Sequence, residues 1–365
     1  MKKMIFFAAI AALALGSCAK TEITGKTEQN AVSFGSYVGS TPVSKATVGD
    51  IDLAKLQASE DGFGVYCYYT AKDNYKAGES KPNFMLNQKV TYSSGAWTYS
   101  PLKYWPNNDG DKLTFRAYAP YSDGSANCIS NLPGEDDART TLTYTIDTTN
   151  PVDLLYAGSE GLSNCTKPSV TGTTNFAFKH ALSKISFTYQ ASVDAVTPGS
   201  NDVDANTTIN LTAVKVVGSA LSESGTFNFA TGEWSGLTAS TDATLIDTTL
   251  AGATKVTSEK AALLRLLGDG SSKANKSCLV FPSASQDLKV TIKYDVITKD
   301  SNYASGEVKV PNEITKEISA PLEAGKHYVL NLQIGLTSVK VNVTSVVGWD
   351  DATTIIAVDL PKNNE

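Results

Sequence analysis

What dominates this sequence is a rhythm. Short runs of alternating apolar and polar residues recur at about ten-residue intervals, separated by Gly, Asn, Asp, Ser and Pro. A first series comprises Val65–Tyr69, Lys89–Tyr92, Trp97–Tyr99, Leu113–Ala119 and Leu142–Ile146. A second comprises Phe176–Tyr189, Thr207–Val217, Gly225–Phe229, Cys278–Phe281, Leu288–Ile297, Ala304–Lys309, His327–Leu336 and Lys340–Val346. The turns at Asn108–Asp111 and Asn228–Trp234 carry hairpin chemistry. Many short strands and few helices predict an all-β protein built from β-sandwiches. Two series in 365 residues predict two of them, dividing near residues 165–176 into 31–170 and 171–365. One short helix is expected over Ser258–Leu267, between an N-cap serine and Gly268, and one or two helical turns over Asp50–Gln57. No repeat of solenoid or propeller length is visible.

Composition narrows the function classes. Ser and Thr make up about a fifth of the chain, tyrosines number 16 and histidines 2. Thr and Tyr suit pleated, half-exposed strands. Two histidines, His180 and His327, argue against a His-rich metal centre, and both lie in or beside apolar strands, where a structural role is expected. A net charge of −6 without basic runs leaves no footprint for nucleic acid. The sequence motifs of zinc proteases, serine hydrolases, P-loop proteins and dinucleotide-binding proteins are absent. Glu135–Asp137 and Asp109–Asp111 lack the ligand count of a calcium loop and read as solvated turns. No catalytic residue, metal ligand or cofactor is therefore assigned. A glycoside hydrolase would need a carboxylate pair, and no particular pair stands out. The aromatics Tyr66, Tyr68, Tyr69, Tyr92, Trp97, Tyr99, Tyr104 and Trp105 could build a sugar-stacking platform. On alternating strands, core packing and cross-strand pairing are the expected roles.

The first residues carry a targeting signal. Lys2 and Lys3 precede the apolar stretch Met4–Leu15, which is too short to span a bilayer and suits a signal peptide over residues 1–17. Leu15-Gly16-Ser17-Cys18 has the form of a bacterial lipobox, so Cys18 is expected to carry acyl chains that hold the mature chain at a membrane. Residues 18–30 form a polar tether. Export permits disulfides, yet four further cysteines allow three pairings. Cys67, in an apolar strand, is expected as a buried free thiol; a Cys128–Cys165 bridge is conceivable.

Next comes a strand with Val32, Phe34 and Val38 on one face and Ser33 and Tyr37 on the other, followed by a small, polar, Pro-containing loop. Lys45 is the basic residue in that loop, with Ala46 after it. At the far end, Thr353–Leu360 places Ile356, Val358 and Leu360 on one face. Burying three such side chains is worth on the order of 5–8 kcal/mol. This segment can serve as a donor strand for another chain or as the last strand of its own sandwich.

Several segments resemble, in order, those of the fimbrillin family, the type V pilus subunits of Bacteroidales, including their fimbrillin-like lipoproteins. They are the lipobox, Phe84–Gln88, Trp97–Pro106, Leu113–Pro120, Phe178–Ile185, Gly225–Phe227, Ala324–Tyr328 and Val346–Trp349. The resemblance implies two transthyretin-like sandwiches and a lipidated precursor routed to the outer membrane. It implies a trypsin-like protease that cuts the N-terminal loop, here after Lys45. The strand bearing Val32, Phe34 and Val38 would then be replaced by a strand of another pilus subunit. The first arginine is Arg116, so a strictly Arg-specific protease could not make that cut. The expected function is thus a pilus subunit or pilus-associated adhesin, with host or bacterial surface ligands among its potential partners. The alternative is a permanently anchored surface lipoprotein that binds glycans.

Overall fold

The computed structural model describes residues 30–38, 51–125, 128–147, 151–158, 161–169, 172–192, 206–239, 242–262 and 277–349. The first stretch of chain forms β1 (Ser33–Val38), helix α1 (Leu53–Ala58), β2 (Phe63–Tyr69), β3 (Met85–Ser93), β4 (Ala96–Thr98), β5 (Lys112–Ala119), β6 (Ile129–Ser130), β7 (Thr141–Thr145), β8 (Leu155–Ala157), β9 (Cys165–Thr166) and β10 (Thr173–His180). Next come β11 (Ser183–Ala191), β12 (Thr207–Gly218), β13 (Ser222–Asn228), β14 (Glu233–Ala239), β15 (Ala243–Lys255) and β16 (Ala261–Ala262). The last five are β17 (Ser277–Val280), β18 (Ser283–Lys299), β19 (Glu307–Leu322), β20 (Lys326–Ile334) and β21 (Val339–Gly348). The all-β expectation holds.

Four sheets form among the described residues. The largest has the order β1-β10-β8-β5-β2-β3-β4, with β9 added beside β5. Its central strands are apolar on both faces, which is why β2 and β5 read as near-continuous hydrophobic runs. Phe63, Val65, Cys67, Phe115 and Ala117 face a core closed by β1, α1 and Trp97. Tyr66, Tyr68 and Tyr118 point the other way, into a core with Leu142, Tyr144, Phe227 and Phe229 of the sheet β14-β13-β7-β6. A third core lies between β16-β11-β20-β21, with β17 beside β11, and β15-β12-β18-β19.

The chain is woven across these layers. The run Phe176–Tyr189, read as one strand, is two: β10 pairs with β8 and β1, while β11 begins a different sheet at Ser183. Ala181 and Leu182, fully buried between them, turn the chain from one sheet to the other. The hairpin β13–β14 pairs with β7. Three strands beyond residue 170 therefore complete sheets begun before it.

Two expectations are corrected. Ser258–Lys260 is irregular, and Ala261–Ala262 pairs with Thr188 and Tyr189 of β11 instead of turning into a helix. A nucleus of so few residues is outcompeted by a ready strand edge; residues 263–267 lie outside the described ones. The helical turns expected near Asp50–Gln57 are present as α1, where Asp52 Oδ1 accepts from the Lys55 amide at 2.8 Å as an N-cap. Cys128 and Cys165 are not bridged: Cys67, Cys128, Cys165 and Cys278 are all free thiols. Burial raises the Cys128 thiol to about 11 and Cys67 well above its ordinary range, consistent with inert, packed thiols.

Candidate functional site

The site is built around β1. This six-residue strand lies at the edge of the large sheet and pairs in parallel with β10, Ser33 opposite Thr173 through Val38 opposite Phe178. Its other flank is held by Ala31 bridging to Tyr104, by the Val32 amide donating to the Lys103 carbonyl at 2.9 Å and by the Trp105 amide donating to the Asn30 carbonyl at 2.9 Å. The Tyr99 hydroxyl adds a donation to the Val32 carbonyl at 2.7 Å. Burial raises that phenol to about 12. Its contribution is geometric: Tyr99 clamps the strand where it enters the core.

Strand periodicity decides what β1 buries. Val32, Phe34 and Val38 are 1%, 5% and 7% exposed, as the alternation predicts, whereas Tyr37 on the opposite face is half exposed. Phe34 is the centre of the contact. Its ring lies 5.4 Å from Phe176, 5.2 Å from Tyr99, 6.1 Å from Phe115 and 6.5 Å from Phe63, within the range where tilted and edge-on aromatic pairs attract. The same face carries Ser36, whose Oγ is buried without a hydrogen-bond partner. The strand thus fills its groove well at three positions and poorly at one.

A second set of residues marks the joint between the layers. His180 Nδ1 lies 2.6 Å from Asp153 Oδ2, and both side chains are almost wholly buried. The Ile51 amide donates to the same carboxylate oxygen at 3.3 Å. Trp349 stacks on the His180 ring, and Lys184 Nζ lies 5.5 Å from the indole centroid. The first described residue after segment 39–50 and the last before segment 350–365 therefore meet one buried cluster. His180 is a packed structural histidine. His327 Nε2 sits 2.8 Å from Ser186 Oγ, a cross-strand contact between β11 and β20.

Sequence reasoning found Val32, Phe34 and Val38, and they come together as expected. Cys18, Lys45, Ala46, Ile356, Val358 and Leu360 lie outside the described residues. Tyr99, Ser36 and Asp153 were missed. Only Tyr99 left a signal, alternating with Trp97; nothing in the sequence places Asp153 beside His180. Half of the aromatic set is interior: Tyr66, Tyr68, Trp97 and Trp105 are buried, Tyr69, Tyr92 and Tyr99 are partly exposed, and Tyr104 alone among the eight is an exposed large ring. The acidic turns are occupied locally, Asp111 by Tyr69 and Asn108, Asp136 by Lys81 and Asp137 by Arg139. Among the described residues no three His, Cys, Asp or Glu side chains gather as a metal site. No helix among them is long and apolar enough to cross a membrane.

Taken together, these features define a class: layered β-sheet subunits completed by a short N-terminal edge strand. The chain belongs to the fimbrillin-like family, whose model matches residues 45–349. It is 26% identical over 374 aligned residues to the fimbrium subunit Fim1C of Phocaeicola vulgatus, covering 94% of this chain and 95% of that one. Its fold is similar to the crystal structure of a fimbrial protein from Bacteroides vulgatus, with a TM-score of 0.65 and 24% identity over 87% of this chain and 99% of the other.

Proposed function

We propose that this protein is a structural subunit of a fimbrium, polymerised by exchange of its N-terminal strand. The observation that carries the reading is the placement of β1. It is an edge strand of six residues with Phe34 inserted among four aromatic rings. Segment 39–50, with Lys45, follows it directly. Cleavage there would leave β1 held by non-covalent contacts alone. Its departure would open an apolar groove along β10 that an extended segment could refill by backbone pairing and alternate side chains.

Exchange also has a thermodynamic rationale. The unpartnered Ser36 hydroxyl costs β1 about 1–3 kcal/mol of desolvation. A strand presenting Ile356, Val358 and Leu360 to the same groove would not incur that penalty. The reading extends to acylation of Cys18, routing to the outer-membrane surface, a trypsin-like protease acting after Lys45, and a donor at 353–360 from a second subunit. Membership of a fimbrial family supports a structural role over an enzymatic one. The glycan-binding alternative loses support because four of its eight aromatic candidates are buried and only Tyr104 is an exposed ring.

Mass spectrometry of the mature N-terminus and electron microscopy of sheared surface material test the reading together. Ala46 as the N-terminus of polymeric material is the expected result. An acylated Cys18 terminus on every molecule, without filaments, would overturn it. Deleting residues 353–365 is expected to abolish polymerisation while leaving the monomer folded; continued assembly removes the donor assignment.

A further inference from the structure

The core between the large sheet and β7–β13 contains a cation with no counter-charge among the described residues. Arg116, on β5, is 5% exposed. Its Nη1 donates to the Phe115 carbonyl at 2.7 Å and its Nη2 to Ser163 Oγ at 2.9 Å, while Nε is buried with no partner. The guanidinium lies 5.0 Å from the centroid of the Tyr75 ring, which meets Tyr68 edge-on at 5.0 Å. The hydroxyls of Tyr68 and Tyr75 are also buried and unpartnered. Three hydrogen-bond donors around one buried positive charge are left unused. Nearby carboxylates are engaged elsewhere, Asp136 with Lys81 and Asp137 with Arg139.

Such an arrangement is expensive unless something completes it. A buried charge needs a partner, and each unsatisfied buried polar group costs about 1–3 kcal/mol. Stacking on Tyr75 offsets part of the cost, since cation–π contacts are worth roughly 0.5–2 kcal/mol. It does nothing for Nε–H. Burial lowers the Arg116 pKa and raises those of Tyr68 and Tyr75, and the guanidinium's charge opposes the rise at both phenols. The phenols therefore remain O–H donors. Nε–H and the Nη2 beside it form the edge of a guanidinium that grips two oxygens at once. Nε itself is covered, but Ser163, which accepts from Nη2, is exposed and Tyr75 is only half-buried, so a single layer of side chains separates this edge from solvent.

We propose that Arg116, Tyr68 and Tyr75 form a binding site for a carboxylate, taken side-on by Nε and Nη2 of Arg116 with the tyrosine hydroxyls as further donors. The planar pair of carboxylate oxygens gives each N–H of the fork its own acceptor; chloride offers both a single shared one. The group can arrive on a free small acid or on an acidic sugar, and the test separates these sources.

Thermal midpoints of the folded protein are measured against sodium acetate and sodium glucuronate, with sodium chloride at equal ionic strength as reference. Wild type is expected to gain about 2 °C over chloride at a tenfold excess over Kd. Arg116→Met is expected to lose that gain, and Tyr68→Phe and Tyr75→Phe to reduce it. General salt effects are common to all variants and cancel. A gain with acetate alone assigns the site to small acids; a gain with glucuronate as well admits acidic sugars. Saturation transfer from wild-type protein to the acetate methyl group supplies a readout that requires no variant. Equal responses of wild type and the tyrosine variants, together with no transfer to acetate, would overturn the proposal.

Discussion

The indole of Trp349 lies flat on the imidazole of His180, centroids 4.2 Å apart and planes 4° from parallel. This stack ties the end of β21 to the end of β10, two strands of different sheets. Through Asp153 it reaches Ile51 as well. The segment proposed for processing thus ends, and the segment proposed for donation begins, at one anchored point. Trp349 is 5% exposed, and truncating a buried tryptophan typically costs about 3–5 kcal/mol. Trp349→Ala is expected to lower the urea midpoint accordingly, with Trp349→Phe retaining much of the stack. An alanine variant within about 0.5 kcal/mol of wild type would show that the joint does not depend on it.

Phe34 and Ser36 share the inner face of β1 and should respond in opposite directions. Phe34→Ala removes the ring packed among Phe63, Tyr99, Phe115 and Phe176, with an expected loss of about 3–5 kcal/mol. Ser36→Ala deletes a buried, unpartnered hydroxyl and should stabilise by about 1 kcal/mol. If strand exchange proceeds through release of β1, the first variant polymerises faster after cleavage and the second more slowly. Chemical denaturation measures the first pair of effects and light scattering after limited trypsin treatment the second.

Much of this fold is legible in the sequence because the strands alternate over buried cores. Val32, Phe34 and Val38 were readable for that reason, as were β2, β5, β12 and β18. What escaped reading has physical causes. β15 is rich in Thr and Ala, and its sequence Ala243–Lys255 shows little alternation. β19 runs on to Leu322 as an edge strand, where Lys309, Glu313 and Glu317 are exposed and Pro311 is tolerated, so its pattern is that of a surface. The Phe176–Tyr189 run gave no sign of its break at Ala181–Leu182, since both residues are as apolar as the strands they separate. The Asp153–His180 contact and the Arg116 cluster arise from chain crossings that local pattern does not encode.

The buried tyrosines predict a loss of stability at high pH. Burial raises Tyr99 from 10.0 to about 12, and it raises Tyr66, Tyr68, Tyr118 and Tyr144 further. A phenol whose folded pKa exceeds its unfolded value holds its proton more tightly in the native state. Its contribution is therefore complete below pH 10 and is lost as pH rises from there through the folded value. Absorbance titration at 295 nm should show these phenols ionising only as the chain unfolds, in step with the loss of β-sheet circular dichroism. Full tyrosine ionisation in a protein that keeps its β-sheet signal would contradict their burial.

The hairpin β13–β14 closes the sheet over Tyr66 and Tyr118, and Gly232 sets its turn. Gly232 has φ +81°, in the left-handed region where an L side chain is strained, and its amide donates to the Asn228 carbonyl at 2.7 Å. A Cβ there would fall 2.2 Å from the Tyr156 hydroxyl, so substitution forces both backbone strain and displacement of a ring on β8. Tyr156 in turn packs edge-on against Phe227 at 5.1 Å, and Trp234 Nε1, on β14, donates to the Ala181 carbonyl at 2.8 Å at the crossing between sheets. Gly232→Ala is therefore expected to cost about 1–3 kcal/mol from the turn alone. It should also loosen the hairpin against β7, raising amide exchange at Thr226 and Asn228 before that of β18. An alanine variant with wild-type stability and exchange would mean that the turn relaxes freely and that this hairpin does not lock the joint.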